Sequence, residues 1–479
     1  MRGRGLRFRG SLLSPDGIRF SMARRPPRLA TAAAALLLVG VASSCDEFRR
    51  HPLGFLDSRT PRERYEAGLT EAGLGRSALV RDWLEAGERA LSEAPSVALL
   101  HREEGFLDPG APAAFAYRVR VERGQQASFA MHLAGDSASQ VFLDAWLVVD
   151  SASTLDRVAA ADSGERVLTI EPRRSGEYVL RAQPELLRGG RFTITLTVGP
   201  TMSFPVLRGR NTDIGSGFGD PRDGGTRDHH GIDVFARRGT PALAAADAYV
   251  ARVDSSGLGG LVVWLRDQRG HALYYAHLDR QLVRVGEIVS AGDTVGLVGR
   301  TGNARTTPAH LHFGLYRRGE GPVDPEWFVR RVNVTVPRLA ADTTLLGGWG
   351  RTRRQLAVTA APDARTTVRD SVPRDAPVQV LAAVGRWYRV RTPEGRSGYI
   401  PAAQVRHAAA GAARMLVDRE TTVARTLHGA VSPADWVALL AAGDSVRVLG
   451  RSGESLLIRT ARGRVGWISR GPAAGATVD

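Results

Sequence analysis

Apolar side chains recur at every second position in several separate segments of this chain. Tyr117, Val119 and Val121 alternate with charged residues, and the same period returns at 192–196 and 310–313. A period of two places successive side chains on opposite faces of a β-strand, so that one face enters a core. We therefore predict a mainly β protein built from short strands that Gly-rich turns connect.

The segment 46–110 lacks this period. Its first part resembles a tether, and Thr60, Pro61 and Glu63 then have the form of a helix start, with Thr as the cap. We predict a short helical region with a break near Gly73. The alternating pattern that follows predicts a β-sandwich accessory domain at residues 111–199.

Two stretches near the C-terminus repeat each other, since the run 391–400 matches the run 459–468. A unit that occurs twice predicts two small β-barrels, at residues 353–408 and 412–475. The run that begins at Trp387 resembles bacterial SH3-like domains. The resemblance implies binding to cell wall or protein, and the alternative is a pair of spacer barrels without a ligand.

The first 45 residues are predicted to be a lipoprotein-type signal peptide. Met22 begins a basic stretch and is a more natural start than Met1; an apolar run at 29–41 follows, which is too short to span a membrane. Small residues then precede Cys45, which would carry lipid as a membrane anchor. The alternative is a secreted protein with a coincidental free Cys. Both predict the cell envelope, on the periplasmic or cell-surface side.

Basic residues outnumber acidic residues by 65 to 49, and all of the basic residues are Arg. A positive surface suits an anionic polymer such as bacterial wall or nucleic acid. The chain has no helix-turn-helix, zinc-finger or RNP signature, so we predict no nucleic-acid partner. A compositional bias of the genome is an alternative explanation for the Arg usage.

Six of the eleven histidines lie between residues 229 and 312, and histidine is the commonest metal ligand. His310 and His312 alternate with Leu311 and Phe313, so that on a strand both histidines face one side. Such a pair on its own is most often merely solvated. A second segment makes a metal site the better interpretation.

This second segment, 228–234, also has an extended pattern. Its alternation places His229, Gly231 and Asp233 on one face, whereas His230 faces the other way. Gly231 leaves space for a metal to approach. Two imidazoles and one carboxylate are a common catalytic Zn²⁺ set, with water in the fourth position. A structural zinc site would need four protein ligands, and no Cys is near enough to supply one.

Three motifs within residues 200–332 resemble the lysostaphin-like (LytM-type) zinc endopeptidases in order and spacing. They are His229-x-Gly-Ile-Asp233, Tyr275-Ala-His277-Leu, and Gly299-x-Thr-Gly302 followed by His310-Leu-His312-Phe. The resemblance implies an antiparallel β-sheet metallopeptidase domain that acts on peptidoglycan. It implies His229, Asp233 and His312 as zinc ligands, and His277 and His310 as unligated catalytic histidines.

The chemistry of these residue types agrees with that assignment. Zinc lowers the pKa of bound water to near neutrality, and a neutral histidine beside it can accept a proton and pass it to the leaving amine. We assign His310 as the general base and His277 as the oxyanion or proton partner, and the sequence allows these roles to be exchanged. The alternative for His277 is a hydrogen-bonded strand histidine without a catalytic role.

The sequence departs from the family pattern around the cleft. The run Thr306-Thr307-Pro308-Ala309 precedes the histidine pair, Gly314 stands where Glu is common, and an insert occupies 222–228. In some relatives an upstream Asn blocks the metal, and Asn211 is the candidate for that role. We expect these differences to affect specificity.

The leading hypothesis is a zinc-dependent endopeptidase that hydrolyses amide bonds in peptidoglycan stem or cross-link peptides. The first alternative is a catalytically silent regulator that activates other cell-wall hydrolases. The presence of all five site residues favours the enzyme. The second alternative, a zinc carrier, would expose its ligands to solvent.

Overall fold

Antiparallel strands form most of the regular secondary structure of the described chain, which confirms the prediction of a mainly β protein. The computed structural model describes residues 59–135, 139–149, 154–332, 335–427 and 435–469. Cys45 and the predicted signal peptide lie outside these residues. Within the described ranges, no helix is long and apolar enough to cross a membrane.

Two helices come first. Helix α1 (Pro61–Glu71) begins at Thr60, whose hydroxyl accepts a hydrogen bond from the Glu63 N–H while the Glu63 carboxylate accepts one from the Thr60 N–H. This reciprocal capping box is the one that the sequence predicts. Helix α2 (Ala78–Ser92) buries Trp83, whose indole N–H donates to a backbone carbonyl of the following domain.

Two antiparallel sheets follow and share one hydrophobic core, as in a sandwich. One has the strand order β2-β7-β4-β5 and the other contains β1-β8-β3-β6. The strands are β1 (His101–Leu107), β2 (Phe115–Val121), β3 (Gln125–Leu133), β4 (Val141–Val148), β5 (Leu155–Ala160), β6 (Val167–Ile170), β7 (Gly176–Pro184) and β8 (Gly190–Pro200).

Strand β1 lies inside the segment 46–110, for which the sequence predicts a tether and a helical region. That prediction is wrong at this strand. Its sequence, His-Arg-Glu-Glu-Gly-Phe-Leu, buries His101 and Glu103 at alternate positions. Polar residues therefore occupy buried positions of this strand that are usually apolar. For this reason a hydrophobicity pattern does not show its period of two.

Residues 200–332 form a ten-stranded antiparallel sheet whose main order is β17-β14-β15-β16-β19-β12-β9, with a separate two-stranded ribbon of β10 and β11. The short helix α3 (Glu326–Val329) follows the last strand. The strands are β9 (Ile214–Ser216), β10 (Pro221–Arg222), β11 (Arg227–Asp228), β12 (Ile232–Phe235), β13 (Pro241–Leu243), β14 (Ala248–Ser256), β15 (Gly260–Asp267), β16 (Ala272–Gln281), β17 (Ile288–Val289), β18 (Thr294–Val298), β19 (His310–Arg317) and β20 (Gly321–Val323).

The C-terminal repeat is visible in the strand order. The first copy is ordered β23-β22-β26-β25-β24, and the second β30-β29-β33-β32-β31. The strands are β21 (Trp349–Thr352), β22 (Leu356–Thr359), β23 (Val368–Val372), β24 (Pro377–Val384), β25 (Trp387–Arg391), β26 (Ser397–Pro401), β27 (Val405–His407), β28 (Arg414–Leu416), β29 (Thr421–Ala424), β30 (Trp436–Leu440), β31 (Ser445–Ser452), β32 (Ser455–Thr460) and β33 (Val465–Ser469).

A shared irregularity supports the same repeat. The register of β24 shifts between Val380 and Ala382, and that of β31 shifts between Val448 and Gly450, at equivalent positions of the two copies. Because a β-bulge of this kind adds local twist and bends the strand, its recurrence indicates the same barrel geometry in both copies.

Strand β1 joins the sandwich to the first copy of the repeat. It pairs antiparallel with β24, so that one eleven-stranded sheet contains strands of both domains.

A buried ion pair spans this joint. Arg389 of β25 bonds the fully buried carboxylate of Glu103 at 3.1 Å, and the Tyr117 hydroxyl donates to it at 2.9 Å. Burial disfavours the charge, but Arg389, the nearby His101 and the hydrogen bond from Tyr117 outweigh it and lower the pKa of Glu103.

We expect Arg389→Met to destabilise this joint by about 3–5 kcal/mol, because it leaves the Glu103 carboxylate buried without its cation. The double variant Glu103→Gln, Arg389→Met is expected to recover most of the lost free energy of unfolding, since no charge then stays buried. Denaturant unfolding followed by circular dichroism measures both, with the exposed Arg386→Met as the matched control. An Arg389→Met midpoint equal to that of the control contradicts the assignment.

Candidate metal centre

The register between β12 and β19 builds the centre of the site. These strands are antiparallel neighbours, and Asp233 lies directly opposite His312. On the other face of the same pair, Ile232 and Phe313 are fully buried in the core. His229 lies in the loop before β12. Its backbone N–H donates to the Asp220 carbonyl, and its own carbonyl accepts a hydrogen bond from the Gly219 N–H. Core packing thus determines which side chains face the site.

Three donor atoms converge at this point. His229 Nε2 lies 3.0 Å from Asp233 Oδ1 and 2.9 Å from His312 Nδ1. His312 Nδ1 lies 3.1 Å from the same oxygen. His229 and Asp233 are buried, with 2% and 7% of their surfaces exposed. Of the residues that the structure describes, these three form a group able to hold a metal ion.

The chemistry of this donor set fits a cation. His229 Nδ1 donates to the Gly217 carbonyl at 2.6 Å, so its Nε2 presents a lone pair to the Asp233 carboxylate and to His312. Convergent lone pairs in a buried site repel each other unless a positive charge lies between them. Donors that are mutually about 3 Å apart can each reach one ion at about 2 Å, which is the distance of zinc from imidazole and carboxylate ligands.

The electrostatics favour the metal-binding protonation states. Burial alone would raise the pKa of Asp233, but the imidazole rings of His229 and His312 beside it outweigh burial and hold the pKa well below its usual range. Burial lowers the pKa of His312 despite the attraction of Asp233. An ionised carboxylate and a neutral imidazole are the forms that bind zinc.

Two further histidines border this group. His310 Nδ1 donates to the Pro308 carbonyl at 2.9 Å, and His277 Nδ1 donates to the Thr301 carbonyl at 3.0 Å. Each bond leaves Nε2 of its ring as an acceptor. His310 Nε2 lies 3.9 Å from Asp233 Oδ1, and the ring centroids of His277 and His310 are 5.0 Å apart. The structure therefore brings all five histidine and aspartate candidates together.

The backbone of His277 is irregular. Regular alternation along β16 would place His277 on the core side with the fully buried Tyr275. Instead His277 has a φ of 61°, its N–H bonds the Gly259 carbonyl at 2.7 Å, and the strand register shifts beyond it. A left-handed backbone at a non-glycine residue is strained and is often found at functional sites. Burial, then the charges of His310 and His312, lower the pKa of His277 to about 4.

Sequence reasoning missed one contact of the site. Nη2 of Arg222 donates to Asp233 Oδ2 at 2.6 Å and to Ser216 Oγ at 2.6 Å. Arg222 is the first residue of the insert that the sequence assigns to the cleft loops. Because the chain has many other Arg residues, nothing in the sequence distinguishes this one. Asn211 is engaged elsewhere, since its side chain both donates to and accepts from the backbone of Arg331. The structure therefore does not support a metal-blocking role for Asn211.

Aromatic rings continue the same sheet face beyond the donors. The Tyr274 ring meets the His312 ring edge to face at 5.7 Å, and Trp264 lies 4.3 Å from Tyr274. Tyr316 completes the group at 5.3 Å from Trp264. The three rings are half-buried, which leaves part of each ring open to a bound molecule.

A carboxylate and two imidazoles in a buried group, with two acceptor histidines beside them, are the kind of donor set that metal-dependent hydrolases use. Residues 227–325 match the family model of Peptidase family M23, and residues 355–405 match that of the bacterial SH3 domain. Residues 227–325 are therefore similar to the M23 peptidases, a family of zinc metallopeptidases, and residues 355–405 to bacterial SH3 domains. Both resemblances predicted from the sequence are confirmed.

Two curated relatives are similar to part of this chain. The chain is 39% identical over 99 residues to the peptidoglycan DD-endopeptidase ShyC of Vibrio cholerae, which is 21% of this chain and 22% of the relative. It is 33% identical over 134 residues to an L-Ala–D-Glu endopeptidase of Bacillus subtilis, 26% of this chain and 41% of the relative. The chain thus spans less than half the length of either relative.

One solved structure is also similar, the catalytic domain of the antimicrobial peptidase lysostaphin from Staphylococcus simulans. It is 31% identical, and the alignment covers 24% of this chain and 91% of that chain with a TM-score of 0.22.

We expect Gly231→Ala to weaken zinc binding. A Cβ at this position would lie 2.5 Å from the Phe313 carbonyl oxygen and 2.8 Å from His312 Cε1, so the ligand ring must move. Equilibrium competition with a chromophoric chelator measures the change in zinc affinity. The matched control is Gly257→Ala, where an added Cβ meets no atom within 4 Å. Equal affinity in the two variants contradicts the prediction.

Proposed function

We propose that this protein is a zinc-dependent endopeptidase that hydrolyses amide bonds in peptidoglycan stem or cross-link peptides. The observation that carries the proposal is the convergence of two imidazole nitrogens and one carboxylate oxygen at about 3 Å, bordered by two acceptor histidines. The names of the relatives, a peptidoglycan DD-endopeptidase and an L-Ala–D-Glu endopeptidase, support the substrate class.

In this proposal His229, Asp233 and His312 hold the zinc ion. The bound ion supplies a Lewis acid for the scissile carbonyl and lowers the pKa of a water molecule. The burial of His229 and Asp233 disfavours a zinc carrier, whose ligands would be exposed.

His310 is the proposed general base. Its Nδ1 bond to the Pro308 carbonyl keeps Nε2 free to accept a proton from the attacking water, and the same bond stabilises the imidazolium that results. Phe235 packs against the ring, with centroids 5.2 Å apart, and restrains its orientation. The proton then passes to the leaving amine.

His277 is the proposed partner for the oxyanion or for proton transfer. The Thr301 carbonyl and the strained backbone hold its ring within 6.0 Å of the His312 ring. In the neutral ring Nε2 is an acceptor; once it has taken up a proton during the reaction, it would donate to the oxygen on which negative charge develops. The aromatic face of Trp264, Tyr274 and Tyr316 offers an adjoining surface for the substrate.

The proposed location is the cell envelope outside the cytoplasm, with the chain anchored through lipid on Cys45. The support is the sequence pattern before that Cys and the wall substrates named for the relatives. The SH3 domain at 355–405, and the repeated barrel after it, are proposed to bind cell wall. The alternative of a silent regulator predicts intact zinc without hydrolysis.

We expect His310→Ala to retain zinc and to lose about 10²–10⁴-fold in hydrolysis rate, because it removes proton transfer and no metal ligand. His229→Ala loses zinc and activity together. The matched control is His230→Ala, which removes the neighbouring exposed imidazole. Mass spectrometry of peptides released from purified peptidoglycan measures activity, and elemental analysis measures zinc. A His310→Ala rate equal to the control overturns the assigned role.

Removal of zinc by a chelator is expected to abolish peptide release, and added Zn²⁺ to restore it. The masses of the released peptides identify the bond that is cut. If the zinc-loaded protein cleaves no peptidoglycan preparation, the enzyme proposal fails and the regulator is favoured.

A further inference from the structure

The turn between β9 and β10, together with Arg222 of β10, holds the outer atoms of two of the proposed zinc ligands. The Gly217 carbonyl accepts the Nδ1 proton of His229 at 2.6 Å. Nη2 of Arg222 donates to Asp233 Oδ2, also at 2.6 Å. In both ligands the bonded atom is the one that does not face the other donors. The turn and β10 therefore restrain both ligands on the side that faces away from the other donors.

The turn is itself braced. Ser216 lies directly opposite Asp233 in the pairing of β9 with β12, and its hydroxyl accepts from Arg222 while it donates to Asp220 Oδ2 at 2.7 Å. The N–H of Gly217 donates to the same oxygen at 2.8 Å. The bond from Ser216, then that from Gly217, lower the pKa of the Asp220 carboxyl. Arg222 thus connects a rigid turn to the carboxylate.

The contact between Arg222 and Asp233 differs from a surface ion pair. The side chains are 29% and 10% exposed, so solvent screens the pair only partly. Arg222 occupies Oδ2, and Oδ1 is the oxygen that lies about 3 Å from His229 and His312. A carboxylate with one oxygen held by a guanidinium presents a single oxygen to a metal, whereas a free carboxylate can present both.

We propose that Arg222 is a positioning residue of the metal centre, which makes Asp233 a one-oxygen ligand and fixes the plane of its carboxylate. Arg222 lies before the segment 227–325 that matches the peptidase family. The inference rests on the proposed zinc site. Partners that orient a ligand typically change metal affinity by 10- to 100-fold when they are removed.

The test uses the full chain with Arg222→Gln and Arg222→Lys, and with Arg227→Gln as the matched control. Arg227 lies opposite Arg222 in the β10–β11 ribbon and bonds the exposed Asp223. We expect Arg222→Gln to weaken zinc binding about 10- to 100-fold in chelator competition. Arg222→Lys, which keeps the charge without the planar fork, recovers part of the affinity. Arg227→Gln binds zinc as the wild type does.

A second measurement reports the coordination geometry of the metal ion. In the cobalt-substituted wild type, a one-oxygen Asp233 predicts the strong visible absorption of a four-coordinate site. A carboxylate freed by Arg222→Gln takes the ion with both oxygens, and the absorption weakens as the coordination number rises. An unchanged cobalt spectrum together with unchanged zinc affinity overturns the proposal.

Folding is controlled by circular dichroism of the zinc-free proteins. If Arg222→Gln does not fold, Ser216→Ala decides, because it removes the brace of Arg222 and leaves the charge in place. A fall in zinc affinity of this variant supports the proposal, and wild-type affinity overturns it. A wild-type chain that binds no zinc contradicts the proposed function itself. A wild type that binds zinc, with Arg222→Gln binding equally well, contradicts only the role of Arg222.

Discussion

The pairing of β12 with β19 is the constraint on which the site depends. One register places Asp233 opposite His312 on one face and Ile232 opposite Phe313 on the other. The apolar pair is fully buried, so a slip by one residue would exchange the two faces and expose the core. The free energy of core burial therefore maintains the geometry of the ligands. Gly231 then permits the close approach of the His312 ring.

Around this pair the chain departs from regular structure where the chemistry needs it. His277 adopts a left-handed backbone, and backbone carbonyls at Gly217, Thr301 and Pro308 each accept an imidazole proton. Because these three rings donate from Nδ1, their Nε2 atoms are available as ligand or acceptor, whereas His312 directs Nδ1 toward the other two donors. Local strain and directed hydrogen bonds thus prepare the site, and the surrounding sheet stabilises both.

The accessory parts are connected to one another more closely than separate modules would be. Strand β1 extends the sandwich sheet into the first barrel, and the ion pair of Glu103 with Arg389 crosses the joint. Removal of one partner from such a pair leaves an uncompensated buried charge, so the two domains lose stability if their contact opens. The first barrel is therefore held in a defined orientation on the sandwich, and the second barrel repeats its strand order.

The amino-acid pattern alone is enough to predict the β class, the capping box at Thr60 and the repeat. It also favours His229 over His230, although His229 lies in the loop before β12 and the turn at 219–220 holds it there. All of these depend on periods and spacings within a few residues, which local sterics translate directly into structure. Contacts between distant parts of the chain set the remaining features. Strand parity would send His277 into the core, and a positive φ places it at the site. Arg222 and strand β1 act through partners distant in sequence, and such contacts follow from sheet register and packing, which no local pattern encodes.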